Sequence, residues 1–161
     1  MNFEVWPEAI ELGRLFAEQG YELALVGGPV RDLLLHRKSH DLDFCSSARP
    51  EQFEPILRRW GHDGFWDMGR KFGTLGAMRR RPDGTEVKVE VTTYRSDMYD
   101  PDSRKPEVNY GDTLEGDLSR RDFTVNAMAL RVPDLQFVDP FGGASDLSKG
   151  VLRTPVDPRQ S

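Results

Sequence analysis

Apolar residues change their spacing several times along the chain, and each change marks an element. Between Pro7 and Gln19, Ala9, Ile10, Leu12, Leu15 and Phe16 recur at helical intervals, and Gly20 closes the run. Leu23 to Val26 is a short apolar run that stops at Gly27-Gly28 and restarts as a helical pattern with Pro29 in its first turn, which reads as strand, tight turn, helix. After the polar connection His36 to His40, Asp41-Leu42-Asp43-Phe44 alternates with period two: a strand with two carboxylates on one face and two apolar anchors on the other. Ser46 to Pro50 signals a loop and helix start, and Pro50 to Trp60 a helix ended by Gly61. From Lys71 the pattern becomes strand-like: Phe72 to Met78, a turn at Pro82-Asp83-Gly84, and Thr85 to Thr93, where Val87, Val89 and Val91 alternate with Lys88, Glu90 and Thr92. Arg79-Arg80-Arg81 then reads as a solvated hairpin end. Arg95 to Gly111, polar and broken by Pro101 and Pro106, reads as a loop. Beyond it the pattern predicts a short helix from Asp112 to Leu118 and an element on Phe123, Val125, Ala127, Met128 and Leu130. A strand from Leu135, a turn, a short helix and a closing strand at Val151 to Arg153 follow.

Composition narrows the class. The 161 residues amount to one domain, 37% hydrophobic and 30% charged, with no apolar run long enough to cross a membrane. The start, Met1 to Trp6, lacks the basic-then-apolar layout of a secretory signal. Cys45 is the single cysteine, so no intramolecular disulfide or cysteine-rich zinc site can form, and a cytoplasmic location is the expectation. The net charge of −5 argues against a surface devoted to nucleic-acid backbone. If nucleic acid is a substrate, most of the grip lies elsewhere. His62 and Trp66 read as packing or surface residues.

The stretch from Leu23 to Phe44 concentrates the candidate chemistry. Gly27-Gly28 before a helix start lets backbone N–H groups approach an anion, and Arg31 adds a planar fork of donors suited to phosphate. Taken alone, these residues read equally well as a plain turn and a solvated arginine. Asp41 and Asp43 on one strand face repel each other and call for a hard divalent cation with oxygen ligands, whereas an isolated Asp-x-Asp also suits a solvated strand edge. Glu90 can join them if its strand pairs beside theirs, or it can share a surface face with Lys88.

Gly27-Gly28-Pro29-Val30-Arg31-Asp32 followed by Asp41-Leu42-Asp43 resembles the first signature of the nucleotidyltransferases related to DNA polymerase beta, specifically the class II tRNA nucleotidyltransferase and bacterial poly(A) polymerase family. Arg120-Arg121-Asp122-Phe123-Thr124-Val125-Asn126-Ala127 is similar to that family's second signature almost letter for letter, and the resemblance spans about Tyr21 to Arg153. It implies an α/β (α+β) head domain over residues 1–161: a mixed, largely antiparallel β-sheet flanked by helices. It also implies two magnesium ions on Asp41 and Asp43, with Glu90 as a possible third ligand. Nucleotide binding would fall to Gly27, Gly28, Arg31, Asp32, Arg120, Arg121, Asp122 and Asn126, and a flexible loop at Arg95 to Gly111 would help reshape the nucleotide site.

The activity so implied is template-independent transfer of AMP or CMP from ATP or CTP to an RNA 3′-hydroxyl. Addition of CCA to the tRNA 3′ end is favoured over poly(A) or A-only addition. Base choice and RNA grip would belong to the family's neck, body and tail domains, which this chain does not include, so that alone it is expected to be weakly active or inactive. Two other classes compete. An Asp-x-Asp phosphatase would form an aspartyl-phosphate at Asp41, but Arg37-Lys38-Ser39-His40 stands where that layout wants an apolar strand. A non-catalytic nucleotide-binding module is the other.

Overall fold

The computed structural model describes residues 6–37, 39–95 and 111–155, without the side chains of Met68 and Arg70. Its centre is a four-residue strand, β1 (Leu23–Val26), buried along its whole length. Leu23 and Leu25 join one apolar cluster and Ala24 and Val26 join another, so the pleat of β1 divides two cores. A strand buried on both faces reads as an unbroken apolar run, as this one does.

Around it lie β2 (Asp41–Ser46), β3 (Gly64–Gly69), β4 (Thr74–Arg80), β5 (Glu86–Thr93), β6 (Ala129–Arg131) and β7 (Gln136–Val138), in the order β3-β4-β5-β2-β1-β6-β7. Every neighbouring pair is antiparallel except β2 and β5, which run parallel. The mixed, largely antiparallel sheet expected from the sequence is the one observed.

On one side pack α1 (Pro7–Glu18) and α3 (Pro50–Trp60), whose Leu12, Phe16, Phe53, Leu57 and Trp60 are fully buried. The indole Nε1 of Trp60 donates to the carbonyl of Glu8 at 3.1 Å and ties the two helices together. On the other side α4 (Leu114–Ser119) covers Ala24 and Val26 with Leu114 and Leu118; its start is capped by Thr113 Oγ1, which accepts from the amide of Gly116 at 3.1 Å. Between β1 and β2 runs α2 (Gly28–Leu34), and α5 (Gly143–Lys149) packs against the 3₁₀ turn Thr124–Asn126.

Four expectations change. β3 went unpredicted because Gly64-Phe65-Trp66-Asp67-Met68-Gly69 lacks a clear alternation and is bounded by glycines. It exists as an edge strand paired to β4, with Trp66 laid over Gly76, where an added Cβ would stand 2.2 Å from the indole Nε1. Arg79-Arg80-Arg81 is a solvated end only at Arg80. Arg79 Nε donates to the carbonyl of Trp60 at 2.7 Å, with its guanidinium over the indole and on Glu11, while Arg81 grips both carboxylate oxygens of Glu8. Phe123 to Leu130 splits into the 3₁₀ turn and β6. Val151 to Arg153 is no strand; it is tied to that turn by the Thr124 amide donating to the Arg153 carbonyl at 2.8 Å. The loop expected at Arg95 to Gly111 falls, for residues 96–110, outside the described residues. Among the described residues no helix is long and apolar enough to cross a membrane.

Candidate active site

The period-two reading of β2 holds: Leu42 and Phe44 are buried in the core while Asp41 and Asp43 stand exposed on the opposite face. Parallel pairing then sets Asp43 against Glu90 and Asp41 against Lys88. Residues directly abreast on neighbouring strands share a face, so Glu90 joins the two aspartates. Lys88, on the same face of β5, has its Nζ 4.0 Å from the Glu86 carboxylate.

Asp43, Glu90, Arg120 and Arg121 line an open cleft of about 220 Å³ together with Val26, Phe44, Thr92, Arg95 and Asp117. The acidic cluster perturbs itself. Partial burial in the cleft raises the proton affinity of Asp43, Asp41 adds to it, and the Arg121 guanidinium opposes it. Although the surface of Asp43 is open to solvent, the cleft walls displace much of the surrounding water, which is why burial leads. Glu90 is likewise raised, first by burial and then by the charges of Asp43 and Asp41. Among the described residues no group of three or more His, Cys, Asp and Glu is placed to hold a metal ion by itself.

The Gly-Gly turn sits at the end of β1. Gly27 takes φ 72° and ψ −141°, a conformation L side chains avoid, and its carbonyl accepts from the amides of Val30 and Arg31. A Cβ at Gly27 would lie 3.7 Å from Arg121 Nη1, so the two signature strings, far apart in sequence, meet here. With seven residues, α2 is two turns long, and its weak end-field leaves the arginines to carry most of the positive charge.

Arg31 Nη1 donates to Asn126 Oδ1 at 3.4 Å, and Asn126 Nδ2 donates to Asp122 Oδ1 at 3.1 Å. That bond is the chief reason the Asp122 carboxyl lies below its ordinary range. Asp32 stands 4.0 Å from Arg31 Nε and supports that arginine; it is not part of the cleft wall. The structure thus assembles the expected residues in two groups: Asp43, Glu90, Arg120 and Arg121 on the cleft wall, with Asp41 beside Asp43 on β2 and its charge felt there, and Arg31, Asn126 and Asp122 in a hydrogen-bonded row.

Residues 23–153 match the poly(A) polymerase head domain. The chain belongs to that family. It is 44% identical over 149 residues to a CCA-adding enzyme of Streptococcus pneumoniae, a match covering 92% of this chain and 35% of that protein. Among solved structures it is similar to the CCA-adding enzyme of Bacillus stearothermophilus in complex with CTP, at 34% identity and a TM-score of 0.74 over 94% of this chain and 34% of the other. It is similar also to the Thermotoga maritima CCA-adding enzyme complexed with tRNA, at 30% identity and a TM-score of 0.71 over the same shares. The chain therefore spans about a third of the length of the relatives it matches.

In this member of the poly(A) polymerase head-domain family, sequence reasoning missed three cleft residues. Thr92 follows Glu90 on the same face of β5, a position that the alternation of β5 already marks. Arg95 stands where the polar loop pattern begins, which hides its place beside β5. Asp117 stands four residues before Arg121, the spacing at which opposite charges meet on a helix, and that spacing was the available signal.

Proposed function

We propose that this head domain carries the catalytic centre of a template-independent RNA nucleotidyltransferase that adds CCA to the 3′ end of tRNA, using CTP and ATP. In the reaction an RNA 3′-oxygen bonds to the α-phosphorus, the bond from that phosphorus to the β-bridging oxygen breaks, and pyrophosphate leaves. The hydroxyl proton passes to a carboxylate of the cleft. Arg121 and Arg31, with the backbone at Gly27 and Gly28, would hold the triphosphate. Asp122 and Asn126, already bonded to each other, would receive sugar hydroxyls or fix Arg31.

The donor set suits magnesium: oxygen ligands alone, mutually repelling, with two carboxyls raised in proton affinity first by burial and then by that repulsion. Magnesium is commonly held through one or two carboxylates plus substrate phosphates, so Asp41 and Asp43 would suffice, with Glu90 joining, without a preformed three-ligand cage. Bound there, two magnesium ions would acidify the attacking hydroxyl and offset charge on the leaving oxygen.

The observation that carries this reading is the juxtaposition of Asp43 and Glu90 on parallel strands with Arg121 of the second signature at the first signature's Gly27. The names of the relatives support CCA over poly(A) addition. Base choice and primer grip are assigned to neck, body and tail domains outside residues 1–161, and a cytoplasmic location goes with a tRNA substrate. The test places residues 1–161 in the Streptococcus pneumoniae enzyme in exchange for its matching segment. That chimera is given tRNA lacking CCA and each nucleotide with magnesium. Extension with release of pyrophosphate is expected; a phosphorylated aspartate in its place would favour the phosphatase reading.

A further inference from the structure

Asp117 is the one carboxylate on the cleft wall that is almost wholly inside the protein, its side chain 3% exposed. It lies on α4, whose frame is set by the Thr113 cap and by Leu114 and Leu118 in the core under β1. Each oxygen has its own partner. Oδ1 accepts from Arg121 Nη2 at 2.9 Å, and Oδ2 accepts from the backbone amide of Arg95 at 2.8 Å. Both partners line the cleft. Arg121 is the guanidinium that faces Gly27 and whose charge is felt at Asp43. Arg95 directs Nη2 to the carbonyl of Phe72 at 2.9 Å.

An arginine side chain carries much rotamer entropy, and one left to wander gives up part of its attraction for a phosphate in being ordered. Asp117 removes that freedom beforehand by engaging one edge of the Arg121 guanidinium. The Nη1 side remains turned to Gly27, where the anion site was read. Through its second oxygen the same carboxylate fixes the backbone at Arg95, just past the end of β5.

We propose that Asp117 is a positioning residue that sets two cleft arginines at once, Arg121 through its guanidinium and Arg95 through its amide, so that the cleft is arranged for a triphosphate before one arrives. This rests on the nucleotidyl-transfer reading for the identity of the ligand, not for the hold on Arg121.

Two measurements on the 161-residue chain test it. Nitrogen NMR of the arginine side chains, with Arg121 assigned through Arg121→Lys, reads the hold without ligand. The wild type is expected to show hindered rotation of the Arg121 guanidinium, and Asp117→Asn, which keeps an oxygen for the Arg95 amide, to release it. Calorimetry with CTP and magnesium then compares Asp117→Asn, Arg121→Ala and the double variant. Asp117→Asn is expected to weaken binding about tenfold, and the double variant to bind no worse than Arg121→Ala alone. Asp117→Glu, which restores the charge, is expected to recover part of the affinity. Additive losses, or an Arg121 guanidinium equally mobile in wild type and Asp117→Asn, would overturn the proposal. Thermal melting of each variant separates loss of fold from loss of position. A wild type that binds no CTP would sink the nucleotidyl-transfer reading, and the NMR comparison would still decide whether Asp117 holds Arg121.

Discussion

Asp43 and Glu90 carry charges that the metal-free fold works against. A carboxyl with a raised folded-state pKa binds its proton more tightly folded than unfolded. Its unfavourable contribution is therefore absent below about pH 4, near the ordinary carboxylate values, grows as pH rises, and is complete above the raised folded value. Asp43→Asn should thus be more resistant to urea than wild type at pH 7, with the gap closing toward pH 4, while magnesium-dependent transfer by the chimera that carries it is abolished. Asp41→Asn should abolish transfer as well. A lower urea midpoint for Asp43→Asn at pH 7, or transfer near the wild-type rate at ordinary magnesium, would count against the assignment. For Glu90→Gln the discriminating measurement is a magnesium titration. A ligand role demands a higher requirement and a lower rate, whereas an unchanged titration with stability within about 0.5 kcal/mol would return Glu90 to the bland surface role.

The Gly-Gly turn makes a matched pair of predictions at the level of the element. Gly27 has φ 72° with only ordinary contact awaiting a Cβ, so Gly27→Ala should cost about 1–3 kcal/mol from backbone strain alone. Gly28 has no such φ, and a Cβ there would meet only the Arg31 side chain at 3.8 Å. Gly28→Ala should accordingly be neutral or stabilising by up to about 1 kcal/mol, since a helix-compatible glycine is entropically costly. Urea unfolding reads both. Equal losses at the two positions would show that close packing, not backbone conformation, selects these glycines. The contrast matters for function because Gly27 is where α2 leaves β1 and where Arg121 arrives from the far end of the chain.

Taken as a whole, the molecule has a net charge of −5 and a cleft on which Asp43, Glu90 and Asp117 are matched by Arg95, Arg120 and Arg121. Non-specific affinity for RNA comes from clustered cations, so the chain by itself should bind tRNA weakly, and added salt should change that little. The cleft groups named for the triphosphate do not read a base edge, and discrimination needs a difference in paired base contacts. ATP and CTP should therefore bind with similar affinity, as calorimetry on the chain can measure. A marked preference for one would locate base reading within residues 1–161.

What the sequence determined by itself is local. The unbroken apolar run of β1, the Gly-Gly turn, the alternation that turns Asp41 and Asp43 away from the core and the signature around Arg121 all depend on neighbours a few residues apart. There the backbone's periods of 2.0 and 3.6 make one face legible. What only the tertiary structure decided is pairing. Glu90 came abreast of Asp43 only because β5 lay parallel to β2. Arg79 and Arg81 looked solvated until α1 offered Glu8 and Glu11. The edge strand β3 carries little pattern of its own and takes its form from β4. The spacing of Asp117 to Arg121 hinted at one partner, but its second oxygen met the Arg95 amide only in the fold. Such partnerships are selected by which surfaces the folded core leaves adjacent, and no spacing along the chain encodes them.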